Sequence, residues 1–286
     1  MLGLRRRIAI FCAKSVGMII RKCSSRRGSV LPWYVAQLID PDILQEMAEM
    51  VREKIIVAMG TNGKTTTNSI ICHALRTEGK KALINRTGAN MLNGVISAFV
   101  LAAGRWGRLD VDYACIEVDE FASAEILPKL KPDVVLLTNL FRDQMDRFGE
   151  IDIVRDRIRA AVAGVPGAKV VSNCDDILSY SLASGCGQPV VTYGISQQIF
   201  DSISSPEVRE SIFCPSCGKK LAYAFFHYGQ LGIYECPYCG WRRPQPDYTA
   251  ENIAFEKQGY AFEIGGQQIH SRAKAPYNVY NTLSAY

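Results

Sequence analysis

Ala58-Met59-Gly60-Thr61-Asn62-Gly63-Lys64-Thr65-Thr66-Thr67 decides the reading of this chain. The apolar run Ile55-Ile56-Val57 comes before it, and a helix-like segment, Asn68 to Arg76, comes after it. Strand, glycine loop and helix in that order make a loop that can cradle phosphate. Gly60 and Gly63 tolerate backbone angles that strain other residues, so successive N–H groups can turn inward at phosphate oxygens. The positive end of the helix dipole reinforces them. Lys64 is then expected to reach the β- and γ-phosphates of a nucleotide, and the Thr65 hydroxyl to bind Mg²⁺. The general pattern G-x-x-x-x-G-K-[ST] opens with glycine, and here Ala58 stands in that place.

Outward from the loop, β-rich runs alternate with helical patterns. The runs are Ile55–Met59, Lys81–Asn85, Tyr113–Val118, Asp133–Asn139, Lys169–Asn173 and Val190–Tyr193. Apolar strands alternating with helices predict an α/β fold, a parallel sheet covered by helices on both faces. Ligands bind such sheets beyond the carboxyl ends of the strands. The glycine loop, Glu117 and Thr138-Asn139 all fall at those ends, so one site can contain them all.

The chain has 286 residues, 48% hydrophobic and 21% charged, as a globular protein with a sizeable core requires. The net charge of +5 is mild, and much of it lies at the front in Arg5, Arg6, Arg7, Lys14, Arg21, Lys22, Arg26 and Arg27. A signal peptide fits poorly, because Lys14 interrupts the apolar run from Ile8 to Ile20 and no small-residue cleavage site follows. The uncharged runs are also too short to span a bilayer. Residues 1–50 are therefore expected to be a basic helical segment, either packed with its basic face solvated or resting on an anionic membrane surface. The absence of a signal peptide and the ATP loop point to the reducing cytoplasm.

Beyond Gly194 the texture changes. Residues 195–211 are polar and serine-rich, like a linker, and an aromatic-rich cysteine module follows, at about 206–246. Of ten cysteines, four form Cys214-Pro-Ser-Cys217-Gly and Cys236-Pro-Tyr-Cys239-Gly, a C-x₂-C…C-x₂-C pair with zinc-ribbon spacing. Four thiolates complete tetrahedral Zn²⁺ and leave no open position, so the expected role is structural. Phe225, Phe226, Tyr228 and Tyr234 can stack nucleic-acid bases or pack the ribbon. The basic residues lie at the N-terminus and not in the ribbon, which argues against nucleic acid as a partner. The other six cysteines, Cys12, Cys23, Cys72, Cys115, Cys174 and Cys186, sit among apolar neighbours and read as buried thiols. Ile253–Phe255, Tyr260–Ile264 and Gln267–Ile269 read as short antiparallel strands with a hairpin turn at Gly265-Gly266.

The wording of the loop is more particular than a generic phosphate cradle. Gly60-Thr61-Asn62-Gly63-Lys64-Thr65-Thr66-Thr67 resembles the ATP loop of the Mur ligase superfamily, which includes folylpolyglutamate synthases. Ile116-Glu117-Val118-Asp119-Glu120 matches their strand-end glutamate for Mg²⁺. Thr138-Asn139 through Asp143-Gln144-Met145-Asp146 to Gly149 resembles their T-N-x-x-x-D-H-x-D-x-x-G segment, Asn173-Cys174-Asp175-Asp176 their N-x-D-D, and Tyr277-Asn278-Val279-Tyr280-Asn281 the H-N-x-x-N that closes their central domain. On this resemblance residues 51–286 are a Mur ligase-type central domain with the ribbon inserted. Asn90 matches a loop contacting the reacting groups, and Asn278 and Asn281 lie where the nucleotide binds, Asn281 at the adenine edge.

Departures narrow the resemblance. Gln144 replaces the usual histidine, which helps to hold a second metal or phosphate. Val154–Arg159 offers no lysine for carbamylation, and residues 1–50 are too few for a uridine-nucleotide-binding domain. With the ribbon, these departures resemble the ligase-like subunits of lipid II isoglutaminyl synthases. That branch implies a GatD-type glutaminase partner releasing ammonia, and lipid II as substrate. It also implies an ATP-dependent C–N ligase that activates the α-carboxyl of D-isoglutamate as an acyl phosphate, with Lys64, Glu117, Asn90 and Gln144 in the catalytic set. The chain stops at Tyr286, directly after the N-x-x-N pattern. The family's C-terminal domain is therefore expected to be absent, and residues 1–286 alone to bind ATP without completing amidation. Other readings are another amide ligase of the folylpolyglutamate type, a zinc-ribbon nucleic-acid-binding ATPase, and a scaffold that binds nucleotide only to hold the glutaminase.

Overall fold

The computed structural model describes residues 3–23, 31–85, 89–104, 106–141, 151–199, 213–257, 259–273 and 275–286. Its centre is a nine-stranded sheet. In chain order the strands are β1 (Lys54–Met59), β2 (Ala82–Ile84), β3 (Tyr113–Glu117), β4 (Val134–Leu137), β5 (Lys169–Asn173), β6 (Val190–Ile195), β9 (Tyr248–Glu256), β10 (Gly259–Ile264) and β11 (Gln267–Ser271). They lie in the order β11-β10-β9-β6-β5-β4-β1-β3-β2. Strands β2 through β6 pair in parallel, and β9 joins β6 in parallel before β10 and β11 turn back antiparallel. The expected antiparallel strands thus extend the main sheet and are not a separate layer.

Both faces are covered, as the apolar runs predicted. Along β1, Val57 and Met59 belong to the larger core while Ala58 belongs to a second core on the other face, with Ile71 and Cys72 of α4 (Lys64–Thr77). The chain leaves β1 for β3 and β2 on one side, then crosses to β4 on the other. This reversal opens a crevice at the carboxyl end of β1, where an α/β sheet binds its ligand.

Helices α1 (Leu4–Cys23), α2 (Leu31–Ile39) and α3 (Ile43–Ala48) precede the sheet and share its larger core. Arg6, Ala9, Ile10, Ala13 and Gly17 form the buried stripe of α1, at helical spacing. Arg6 ion-pairs with Glu46 at 2.7 Å. The outer face is more apolar than the basic front predicts: Leu4, Ile8, Phe11, Met18 and Ile19 are exposed there, beside Arg5 and Arg7. No described helix is long and apolar enough to cross a membrane. Cys72, Cys115, Cys174 and Cys186 are buried as expected, whereas Cys12 is half-buried and the side chain of Cys23 lies outside the described residues.

The insertion between β6 and β9 forms a two-stranded antiparallel ribbon, β7 (Ala222–Tyr228) and β8 (Leu231–Glu235). Tyr234 stacks on Trp241 at 5.5 Å and donates to the Cys174 carbonyl at 2.9 Å. Tyr223 stacks on Phe226 at 4.2 Å. These aromatic rings pack the ribbon and fasten it to the sheet.

Candidate nucleotide site and cysteine cluster

Strand register assembles the site. Ala58 pairs with Glu117 on one side and Leu136 on the other. Ala58 is therefore still inside β1, where no special backbone angle is needed, which accounts for the missing first glycine. Gly60 needs one (φ 128°), and a Cβ there would meet Thr138 Oγ1 at 2.3 Å. Gly63 (φ 87°) is the N-terminal cap of α4, and a Cβ there would meet Asn281 Oδ1 at 2.3 Å.

The end of β4 clamps the loop. Thr138 Oγ1 donates to the Asn62 carbonyl at 2.7 Å, Asn62 N donates to Asn139 Oδ1 at 2.9 Å, and Thr61 N donates to the Asn139 carbonyl at 2.6 Å. The Thr61 and Asn62 N–H groups are thereby spent on the protein. Those of Lys64, Thr65 and Thr66 begin α4 and have no carbonyl in the preceding turn to pair with, so the first turn of this helix is the part of the loop left to receive an anion.

Thr65 Oγ1 donates to Glu117 Oε2 at 2.6 Å, and Asn90 Nδ2 donates to Glu117 Oε1 at 3.1 Å. Asn85 holds the Glu117 backbone, donating to its carbonyl and accepting from its N–H, each at 2.8 Å. A hydroxyl and a carboxylate this close are a donor set for a hard cation. Thr65, Glu117 and Asn90, chosen from different segments, thus meet in one group. Asn281 lies against Gly63, while its Nδ2 donates to Asn278 Oδ1 at 3.0 Å. Asn278 does not cap α9 (Tyr277–Leu283), whose N-terminal cap is Pro276. Gln144, with Asp143 and Asp146, lies outside the described residues.

Lys64 is buried. Its Nζ donates to Glu120 Oε1 at 3.0 Å and to the Gly60 carbonyl, and Glu120 Oε1 also accepts from Gly60 N at 3.1 Å. Burial pushes the Glu120 carboxyl above its usual range, and Lys64 pulls it back. Glu120 is a site residue that the sequence reading passed over. Its spacing of three from Glu117 was the only signal, and the turn after β3 brings both to one sheet end.

The four thiols come together as the spacing predicted. The Sγ atoms of Cys214, Cys217, Cys236 and Cys239 all lie within 4.8 Å of one another, close enough to hold a metal ion. Cys214–Cys239 and Cys217–Cys236 are 3.6 and 3.5 Å apart. Tetrahedral thiolates around Zn²⁺ sit roughly 3.8 Å apart, from Zn–S bonds of about 2.3 Å, so the cluster fits that ion.

Fold and loop define the class, an α/β protein with a glycine loop of the nucleotide-binding kind at the head of α4. The Mur ligase middle domain matches residues 59–232, and the chain belongs to the Mur ligase family. It is 36% identical over 99% of its length to the lipid II isoglutaminyl synthase (glutamine-hydrolyzing) subunit MurT of Staphylococcus aureus strain COL. To the subunit of that name from Streptococcus pneumoniae it is 33% identical, again over 99% of its length. The chain spans 62% of each of these relatives. Among solved structures, a pseudomurein peptide ligase type C from Methanothermus fervidus aligns at TM-score 0.65 and 25% identity, covering 85% of this chain and 47% of that one. MurF from Acinetobacter baumannii aligns at TM-score 0.59 and 16% identity, covering 87% and 45%, a likeness of fold.

Proposed function

We propose that the protein amidates the α-carboxyl of D-isoglutamate in the lipid II stem peptide, using ATP and ammonia from a GatD-type glutaminase subunit. The observation that carries this reading is the convergence of Lys64, Thr65, Asn90 and Glu117 at one sheet end, in a chain similar along nearly its whole length to MurT subunits. A carboxylate is a poor electrophile. Phosphoryl transfer from ATP makes it an acyl phosphate, whose carbonyl carbon ammonia attacks as phosphate leaves. Two anions must approach, so the site must neutralise charge. Lys64 does so once it turns from Glu120 to the phosphates. Thr65 and Glu117 would hold Mg²⁺, which supplies further positive charge there, and Asn90 keeps the Glu117 carboxylate oriented. Asn278 and Asn281 are assigned to the nucleotide, and Gln144, from its motif, to the second metal or phosphate.

In this reading the four cysteines hold a structural Zn²⁺. The exposed Leu4, Phe11 and Met18 beside Arg5 and Arg7 support contact with the anionic inner face of the cell membrane, where a lipid-linked substrate is reached.

The test combines the full-length protein, a GatD-type glutaminase, lipid II, glutamine and ATP·Mg²⁺, with the stem peptide read by mass spectrometry. Amidated product is expected, and Lys64→Ala should lower its rate roughly a hundredfold or more. A complex that hydrolyses glutamine but leaves lipid II unamidated, with or without ATP, overturns the reading. Turnover of folate with glutamate would then assign the alternative ligase activity.

A further inference from the structure

The cysteine insertion does more than enclose its own cluster. A cavity of about 350 Å³ opens beside the head of α4, with Gly63 and Thr66 on its loop side and Tyr277 and Asn281 on α9. The insertion supplies a further part of the wall: Tyr228 ends β7 and Leu231 begins β8, and both line this cavity. The Tyr228 and Tyr277 rings, both on the cavity wall, stand 6.1 Å apart and are tilted by 43°.

The turn that carries Tyr228 is fixed to the nucleotide loop and to the sheet. Phe141 packs edge-on against Tyr228 at 5.6 Å, and the Phe141 N–H donates to Thr61 Oγ1 at 2.8 Å. Gln230 Nε2, in the turn itself, donates to the Leu140 carbonyl and to Asp176 Oδ1, both at 2.7 Å. Gly229 sits so close to Phe141 that a Cβ would come within 2.8 Å of its ring. A hairpin whose only task was to carry the cysteines has no need of this seat.

We infer that the hairpin of the cysteine insertion forms the nucleobase wall of the site, with Tyr228 and Leu231 contacting the adenine of the nucleotide whose phosphates the loop holds. The inference rests on the nucleotide reading proposed above. Phosphates at the first turn of α4 leave the base to be housed nearby, and this cavity adjoins that turn through Gly63 and Thr66. An aromatic face on one side and a buried leucine beside it suit a flat, weakly polar ring. The class of ligand is thus an adenine nucleoside di- or triphosphate, its base held by a segment inserted into the sheet domain.

The experiment measures the affinity of the full chain for ADP and for inorganic tripolyphosphate, each with Mg²⁺, by calorimetry. Tyr228→Ala should weaken ADP about tenfold, the usual scale of one lost base stack, and leave tripolyphosphate within about twofold. Tyr228→Phe should restore ADP affinity. Equal loss of both ligands in Tyr228→Ala overturns the wall, and so does ADP binding at the unsubstituted strength. Lys64→Ala separates the premises, because it should weaken both ligands; an unsubstituted protein that binds neither overturns the nucleotide reading itself. A photoreactive azido-adenine nucleotide needs no variant. Label on residues 222–235 supports the wall, and label confined to other segments overturns it.

Discussion

Gln230 Nε2 donates to Asp176 Oδ1 across 2.7 Å, joining the turn of the cysteine insertion to the N-terminal cap of α8 (Ile177–Ser184). Asp176 is fully buried, and burial pushes its carboxyl up. Ser179, the Leu140 N–H and Gln230 donate to it and pull the other way. The insertion therefore completes the hydrogen bonding of a buried acid in the sheet domain, and the two cannot be treated as independent units.

Gln230→Ala should destabilise the protein by about 1–3 kcal/mol, the cost of leaving buried acceptors short of a donor. Gln230→Glu should cost more, since it sets a second carboxyl against Asp176. Urea unfolding checks both; an unchanged midpoint for Gln230→Ala would show that the bond contributes nothing.

Lys64→Met removes the cation that offsets burial of Glu120, whose side chain is 6% exposed. The Glu120 carboxyl, already raised by burial, then rises further. A carboxyl raised above its unfolded value adds stability at low pH that is lost as pH climbs through its folded value. The variant should thus approach wild-type stability in acid and fall short by about 3 kcal/mol near neutrality. Adding Glu120→Gln should flatten this dependence and recover part of the loss. Denaturant midpoints across pH decide it, and a pH-independent loss in the single variant would refute the pairing.

The cysteine cluster predicts one bound metal ion per chain. Cys217→Ser should abolish stoichiometric metal on elemental analysis and lower the thermal midpoint by several degrees, because metal supplies folding free energy to so small a ribbon. A variant as stable as the parent in the presence of Zn²⁺ would remove the metal from the account.

His227 is buried with its Nε2 donating to the Ile195 carbonyl at 2.8 Å. Burial holds the imidazole below the ordinary 6.5; Asp175, 4.0 Å away, pulls it up, and Arg243 pushes it down. The unfolded chain takes up a proton near 6.5 that the folded chain refuses, so stability is full above that value and declines as pH falls below it. Replacing the ring by His227→Gln should flatten the decline between about pH 5 and 7. A parent protein whose stability is constant over that range would contradict the assignment.

Much of this was legible in the chain. The Ile55-Ile56-Val57 run reads as a doubly covered strand because both of its faces are apolar. Thr138-Asn139 reads as a site segment because it falls at a strand end. Other parts were illegible for local reasons. Strand β9 starts at Tyr248, five residues before the Ile253–Phe255 run expected, because Glu251 and Asn252 break the alternation. Asn252 takes a left-handed backbone (φ 52°), and the pairing with β10 slips there, as at a β-bulge. Glu120 was indistinguishable from any solvated acid next to Asp119 until the turn after β3 carried it under Lys64.

The sequence by itself determined what depends on near neighbours. Gly60 and Gly63 permit the loop, Lys64 and Thr65 follow at helix spacing, and each C-x₂-C pair folds into its own tight turn. Tertiary structure alone decided the meetings between distant segments: Glu120 with Lys64, Asn90 with Glu117, and the Tyr228 hairpin with the cavity beside Gly63. The physical reason is that parallel strands are joined by crossovers rather than by tight turns. The sheet register of Ala58 against Glu117 and Leu136, and not chain proximity, sets which side chains share the carboxyl end.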